Sequence, residues 1–204
     1  MKNLIILDAG HGMDTPGKRT PLFKDGSFTH ERSFNQAVVK EMINQLKKYD
    51  CQVKWVSEEE QDVPLRVRST RANTHLQNFI WLYGKTNVNS IFVSIHANAM
   101  GEDENWGTAH GIETYYLSNG SSCSLKLAQI VQKQLIIHTK RCNRGVKTAN
   151  FFVLRETHMP AILCECGFMD YKPEAWLLRS DVYRILCATA IARGIVDYMN
   201  LKLK

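Results

Sequence analysis

The chain has no run of ~18 or more apolar residues, so nothing in it is long enough to cross a bilayer as a helix. Its opening apolar stretch, Leu4-Ile5-Ile6-Leu7, is shorter than the ~7–15 residues of a secretion-signal core, and Asp8 cuts it with no small-residue cleavage site after. The expectation is a protein made in the cytoplasm without an export signal, with no integral membrane association. Paired CxxC motifs are missing too. The cysteines are Cys51, Cys123, Cys142, Cys164, Cys166 and Cys187, and Cys164-Glu165-Cys166 has no second pair nearby, which disfavours a zinc–thiolate site. Free, mostly buried thiols are expected in a reducing compartment. Lys plus Arg outnumber Asp plus Glu by 26 to 20, a net charge of +6, which favours polyanions. Yet no stripe of basic residues interleaved with aromatics occurs, so nucleic acid is not an expected partner. Internal repeats and low-complexity segments are absent.

What is present fits one domain. A length of 204 residues, with 44% hydrophobic and 23% charged, suits a single core spanning 1–204. Short apolar runs at Leu4–Leu7, Val53–Val56, Ile91–Ile95, Ile112–Leu117, Phe151–Leu154 and Ala161–Cys164 read as strands. Between them, Phe34, Val38, Met42 and Leu46 mark one face of a helix from about Ser33 to Tyr49, with Thr29 as its N-cap. Ala72, Leu76, Phe79 and Ile80 mark another over Leu65–Tyr83, and Leu125, Ala128, Val131 and Leu135 a third. A last helix is expected over Asp181–Met199, capped by Ser180. Strands alternating with helices imply βαβ units: an α/β class, with a mainly parallel twisted sheet flanked by helices on both faces.

Two long connections stand out, Gly10–Phe28 and Ala97–Gly111, the second acidic at Glu102-Asp103-Glu104. The first contains Gly12-Met13-Asp14-Thr15-Pro16-Gly17-Lys18, the GxxxxGK half of a P-loop. Arg19 stands where Mg²⁺ coordination needs Ser or Thr, and Pro21 falls where the phosphate-binding helix should continue, so nucleotide binding is not expected.

Three ionisable residues share one context. His11 follows the first strand, His96 the strand 91–95, and Glu165 the strand 161–164. Parallel sheets bind ligands beyond the carboxyl ends of their strands, so these side chains converge at one rim. Two histidines there suggest a metal, and catalytic zinc takes three His or Asp/Glu ligands with a fourth position open. Glu31, in the first turn of the helix after the glycine-rich loop, is the candidate third ligand, with His30 as its competitor. His75 and His138 fall on helices away from strand ends, whereas His110 and His158 sit in loops that could approach the rim. Glu165, among Leu163, Cys164, Cys166 and Phe168, is a carboxylate in apolar company that needs a partner.

At this point the motifs resemble a known family, the zinc-dependent N-acetylmuramoyl-L-alanine amidases of the amidase-3 type. The resemblance runs in order along nearly the whole chain. It takes in Leu7-Asp8-Ala9-Gly10-His11-Gly12, Glu31 with Phe34-Asn35, and Leu65, Arg68 and Ala72-Asn73. Ser94-Ile95-His96-Ala97-Asn98, Gly111-Ile112-Glu113-Thr114-Tyr115, Arg144-Gly145-Val146-Lys147, and Met159-Pro160-Ala161-Ile162-Leu163 with Glu165 and Gly167-Phe168 continue it. The resemblance implies one Zn²⁺ held by His11, Glu31 and His96, Glu165 as catalytic base, and peptidoglycan as substrate, cut between the muramic acid lactyl group and L-alanine. The chain departs from the pattern at Asp14–Arg19, where many members have a shorter D-x-G-A turn, at Val56-Ser57, which lacks a common Arg, and at the cysteines beside Glu165. A phage endolysin is the expected setting, acting on the wall after release. A host autolysin, another zinc peptidase and a non-catalytic wall-binding protein are the alternatives. Oligomeric state is not legible.

Overall fold

The computed structural model of the protein describes residues 1–101 and 105–204, so the acidic run Glu102-Asp103-Glu104 lies outside the described residues. Six strands form one sheet: β1 (Lys2–Ala9), β2 (Cys51–Trp55), β3 (Val88–Asn98), β4 (Ile112–Tyr116), β5 (Asn143–Thr148) and β6 (Ala161–Phe168). The helices are α1 (Glu31–Leu46), α2 (Leu65–Tyr83), α3 (Ser122–Thr139), α4 (Phe152–Arg155), α5 (Lys172–Arg179) and α6 (Asp181–Met199). Strand order is β2-β1-β3-β6-β4-β5. Every neighbouring pair is parallel except β4 with β6.

The alternation of side chains along β1 explains why both faces are covered. Ile5, Leu7 and Ala9 enter one buried cluster with Phe34 and Val38 of α1, Leu127 and Val131 of α3, and Ile191 and Ile195 of α6. Leu4 and Ile6 enter the opposite cluster with Ala72, Leu76 and Phe79 of α2 and Val153 and Leu154 of α4. Each fully buried aliphatic contributes about 1.5–3 kcal/mol relative to exposure. A strand whose middle, Leu4–Leu7, is apolar on both faces therefore belongs inside a doubly covered sheet.

Several boundaries differ from expectation. Residues 151–154 are not a strand: Phe151 caps the short helix α4, and its carbonyl accepts the Arg155 N–H at 3.0 Å. A four-residue apolar run does not distinguish a strand from one helical turn. Strand β5 escapes the hydrophobic pattern because it is an edge strand carrying Arg144 and Lys147. Helix α5 is missed because it is a two-turn connection beginning Lys172-Pro173. Thr29 does not cap α1; His30 occupies the N-cap without a side-chain bond, and Thr29 pairs with Thr20 instead. Ser180 sits at the N-cap of α6, also without a side-chain bond. Of the cysteines, which are all free, Cys164, Cys166 and Cys187 are buried while Cys123 and Cys142 are exposed.

Helices α3 and α6 approach closely at Gly194, where an added Cβ would lie 2.9 Å from the Cα of Val131. Backbone cannot yield as a side-chain tip can, so overpacking outweighs the ~1 kcal/mol that a glycine costs a helix. Gly194→Val is expected to lower unfolding free energy by about 1–3 kcal/mol in urea titration. An unchanged midpoint would show that the two helices can separate freely.

Candidate metal centre

The carboxyl ends of β1, β3 and β6 meet at one rim, and the register fixes what they present there. His96 on β3 pairs with Glu165 on β6, and Glu165 pairs in turn with Glu113 on the antiparallel β4. Three ionisable side chains thus stand in one row across three strands. Glu165 lies within β6, not after it as expected. Because sides alternate, Cys164 and Cys166 point into the opposite core while Glu165 turns to the rim. That alternation accounts for a carboxylate flanked by cysteines.

His11 comes from the turn after β1 and has φ of 58°, a left-handed conformation that costs a non-glycine residue energy unless its surroundings impose it. The surroundings do. Buried Arg68 of α2 donates to the carbonyls of Ala9 at 2.7 Å, His11 at 3.1 Å and Val63 at 2.6 Å, and to Asp8 Oδ1 at 2.8 Å. Buried Arg32 of α1 donates to the carbonyls of Ala9 at 2.7 Å and Ser57 at 2.5 Å. Burial would raise the Asp8 carboxyl, but the Arg68 guanidinium and the Ser94 hydroxyl hold it below the ordinary carboxylate range. Glycines clear the space on either side. A Cβ on Gly10 would fall 2.1 Å from the His96 ring, and one on Gly12 would fall 2.0 Å from the backbone nitrogen of Asp62.

Glu31 begins α1, where the N-terminal backbone dipoles favour a negative charge. Its Oε1 accepts from the Ala97 N–H at 3.0 Å and Asn35 Nδ2 at 3.0 Å, and faces His96 Nδ1 at 3.1 Å. Its Oε2 faces His11 Nε2 at 3.3 Å. The two imidazole rings stand at 88° with centroids 5.0 Å apart, and one ligand atom from each of His11, Glu31 and His96 falls within 4.8 Å of the others. Burial would raise Glu31, but the His96 hydrogen bond and the His11 charge hold it at about 2. Burial lowers His11 to about 4, leaving a neutral imidazole with a free lone pair at neutral pH. Two imidazoles and one ionised carboxylate, with a side left open to the cleft, form a donor set suited to zinc.

Glu165 is the group without a partner. Its Oε2 is buried and makes no hydrogen bond among the described residues. Burial, opposed by His96 and reinforced by the charges of Glu31 and Glu113, raises its carboxyl to about 8. Glu113 itself is saturated: Oε1 accepts from Asn98 at 2.7 Å and Tyr115 at 2.6 Å, while Oε2 takes Arg144 at 2.7 Å and Lys147. A cleft of about 350 Å³ opens over His11, His96 and Glu165, walled by Leu65, Phe151, Phe152 and Leu163 and edged by Lys18.

The structure therefore brings together His11, Glu31, His96 and Glu165. His30 is not in the group; it meets Phe28 edge-on at 5.0 Å. His75 and His138 are remote on their helices, His110 stacks near Tyr171 at 5.0 Å, and the His158 backbone bonds Asn73. The motifs include Asp8, Asn35, Arg68 and Glu113 but imply no role for them, neither motif nor spacing marks Arg32, and Lys18 is marked only by the incomplete P-loop pattern, which points to a different chemistry. For Arg32 the one visible signal is a charged residue at the head of a helix whose other face is apolar.

An open, mostly parallel sheet with a metal-competent His–Glu–His group at its rim is the layout of a metal-dependent hydrolase. The chain belongs to the N-acetylmuramoyl-L-alanine amidase family, whose model matches residues 5–197. It is similar to the endolysin of Bacillus phage SPP1, 32% identical across 100% of this chain and 69% of that protein. An uncharacterized cell wall amidase of Bacillus anthracis is 41% identical over 59% of this chain, but that match spans 23% of the relative's length. Among solved structures, the N-acetylmuramoyl-L-alanine amidase of Clostridium difficile 630 superposes with a TM-score of 0.82 at 32% identity, covering 98% of this chain and 97% of that one.

Arg68→Met strips the buried Asp8 of its counter-ion and takes a donor from the carbonyls of His11 and Val63, while Arg32 and Ser57 still serve that of Ala9. It is expected to cost about 3–5 kcal/mol in urea unfolding. A loss under 1 kcal/mol would mean that the turn at His11 holds itself. For Glu165, a folded-state carboxyl raised from 4.5 to about 8 favours the neutral form. Its contribution to stability is full below pH 4.5 and is lost as pH climbs through about 8. In ion-free protein, stability relative to Glu165→Gln should fall across that window. A constant difference would contradict the raised value.

Proposed function

We propose that residues 1–204 form one catalytic domain that hydrolyses the amide between the muramic acid lactyl group and L-alanine of peptidoglycan, with zinc held by His11, Glu31 and His96. The observation that carries this reading is the buried, unpartnered Glu165 carboxylate beside two imidazoles and a carboxylate whose donor atoms converge. A cation next to Glu31 would replace the close His11–Glu31 and His96–Glu31 approaches with shared coordination. When bound, zinc supplies a Lewis-acidic charge against the amide carbonyl and makes water acidic enough to react near neutral pH.

The chain's own residues do the rest. Asn35 and the Ala97 N–H occupy Glu31 Oε1 and aim Oε2 at His11. Glu165 Oε2, free of internal bonds, takes the proton from the attacking water and delivers it to the departing alanine nitrogen. Without an ion the carboxyl is raised to about 8, and a cation held beside it would draw it down from there, so that it can take up and give back a proton near neutral pH. Leu65, Phe151 and Phe152 give the cleft an apolar wall beside that exchange.

Similarity to the endolysin along the whole chain favours a lytic enzyme that reaches the wall after release from the cell that makes it. Among the described residues no helix is long and apolar enough to cross a membrane. The net charge of +6 suits attraction to an anionic wall.

Glu165→Gln should retain one zinc per chain by metal analysis while turnover of purified sacculi drops by several orders of magnitude. His96→Ala should lose the zinc itself. Mass spectrometry of digested sacculi should show freed stem peptides beginning with alanine and intact glycan chains. New amino termini within the stem would instead indicate a peptidase, and full activity in Glu165→Gln would reject its role.

A further inference from the structure

Among the ionisable residues edging the cleft, one has no part in the chemistry above. Asp8 and Asp62 are both tied to Arg68, and Arg68 spends its donors on them and on backbone carbonyls. Lys18 is different: its ammonium has no hydrogen bond or ion pair among the described residues, yet it lines the cleft with His11, His96 and Glu165. Its charge also reaches both His11 and Glu165, lowering the proton affinity of each.

The backbone under Lys18 is built, not slack. The Lys18 carbonyl accepts the Glu31 N–H at 2.9 Å, so the residue is fastened to the first turn of α1 beside a candidate metal ligand. On one side Gly17 takes φ of 74°, and on the other Arg19 forms an antiparallel bridge with His30. This is the lysine of the false P-loop, and it lies in the segment Asp14–Arg19 where the chain departs from the family pattern. An unpaired cation at the rim of a mostly apolar cleft, on backbone fastened beside the candidate metal centre, is a recognition element for an anion on the substrate.

We propose that Lys18 is a specificity-determining residue that pairs with a free carboxylate on the stem peptide just beyond the scissile amide. The inference rests on the amidase reading. In peptidoglycan the residue after L-alanine is D-glutamate linked through its side chain, and its α-carboxyl is either free or amidated. An extended peptide advances about 3.3–3.6 Å per residue, so that carboxyl lies roughly 6–7 Å from the amide being cut, on the scale of a lysine side chain. The ammonium meets the free acid as a charge-assisted pair, whereas the carboxamide leaves it with a weaker neutral acceptor.

The test uses two muropeptides identical except that the second stem residue carries a carboxylate or a carboxamide. Wild-type protein, Lys18→Met and Lys18→Arg are assayed for kcat and KM on each. The wild type should prefer the carboxylate by about tenfold, chiefly through KM. Lys18→Met should bring the ratio near one by raising KM for the carboxylate substrate, and Lys18→Arg should keep most of the preference. Raising ionic strength should shrink the wild-type ratio. Turnover of both substrates with the same ratio in wild type and Lys18→Met would overturn the role of Lys18 and leave the amidase reading intact. Failure of wild-type protein to cut either would overturn both.

Discussion

The site depends on one buried ion pair. Arg68, 1% exposed, reaches from α2 to Asp8 near the end of β1 and gathers the carbonyls of the turn, sharing that of Ala9 with Arg32 and taking that of His11. A buried guanidinium is tolerable only when its donors are satisfied, and here the acceptors are the backbone that must be bent. The same contacts that solvate Arg68 therefore oblige His11 to adopt φ of 58°. Ser94 on β3 donates to the other Asp8 oxygen at 2.6 Å, which ties the first imidazole's turn to the strand that carries the second.

From that anchor the geometry follows with little freedom. His96 lies two residues beyond Ser94 on the same strand, so strand alternation puts it on the same face. Gly10 lets the His96 ring lie against the turn, and the ring and the Ala97 N–H meet the same oxygen of Glu31. Glu31 is thus fixed by its place at the head of α1, by Asn35 one turn later and by β3. Each donor is held by something other than the ion it would bind. Such preorganisation is what a site needs if its fourth position is to stay open for chemistry.

How much of this could be read from the sequence depends on how far each feature is local. The strand β1 and the helices α2 and α6 were legible, because uninterrupted apolar runs and fourfold spacing have few physical interpretations. Convergence of His11, His96 and Glu165 was legible from one topological rule, since each sits at the carboxyl end of a strand in a parallel sheet. Helix α4 was not, because four apolar residues suit either geometry. Edge strand β5 was not, because Arg144 and Lys147 serve a partner on another strand. The orientation of Cys164 and Cys166 was invisible without knowing which face of β6 was core. Arg32 was hidden for a similar reason: its buried contacts are backbone carbonyls distant in sequence, and carbonyls leave no mark on a sequence.

The antiparallel placement of β4 shows why a structure with this topology can keep a protonatable Glu165. Entering between β6 and β5, β4 sets Glu113 directly opposite Glu165. Two neighbouring carboxylates would raise each other's proton affinity, and the better solvated one would stay ionised. Glu113 receives Arg144, Lys147, Asn98 and Tyr115, so it carries the negative charge and its compensation together. Burial acts on both carboxyls, but the Glu165 Oε2 receives no such donors to offset it. The difference in hydrogen-bond supply therefore makes one carboxylate a fixed charge and leaves the other free to gain and lose a proton beside the imidazoles. Moving the donors of β5 by one residue would reverse their faces and erase that distinction.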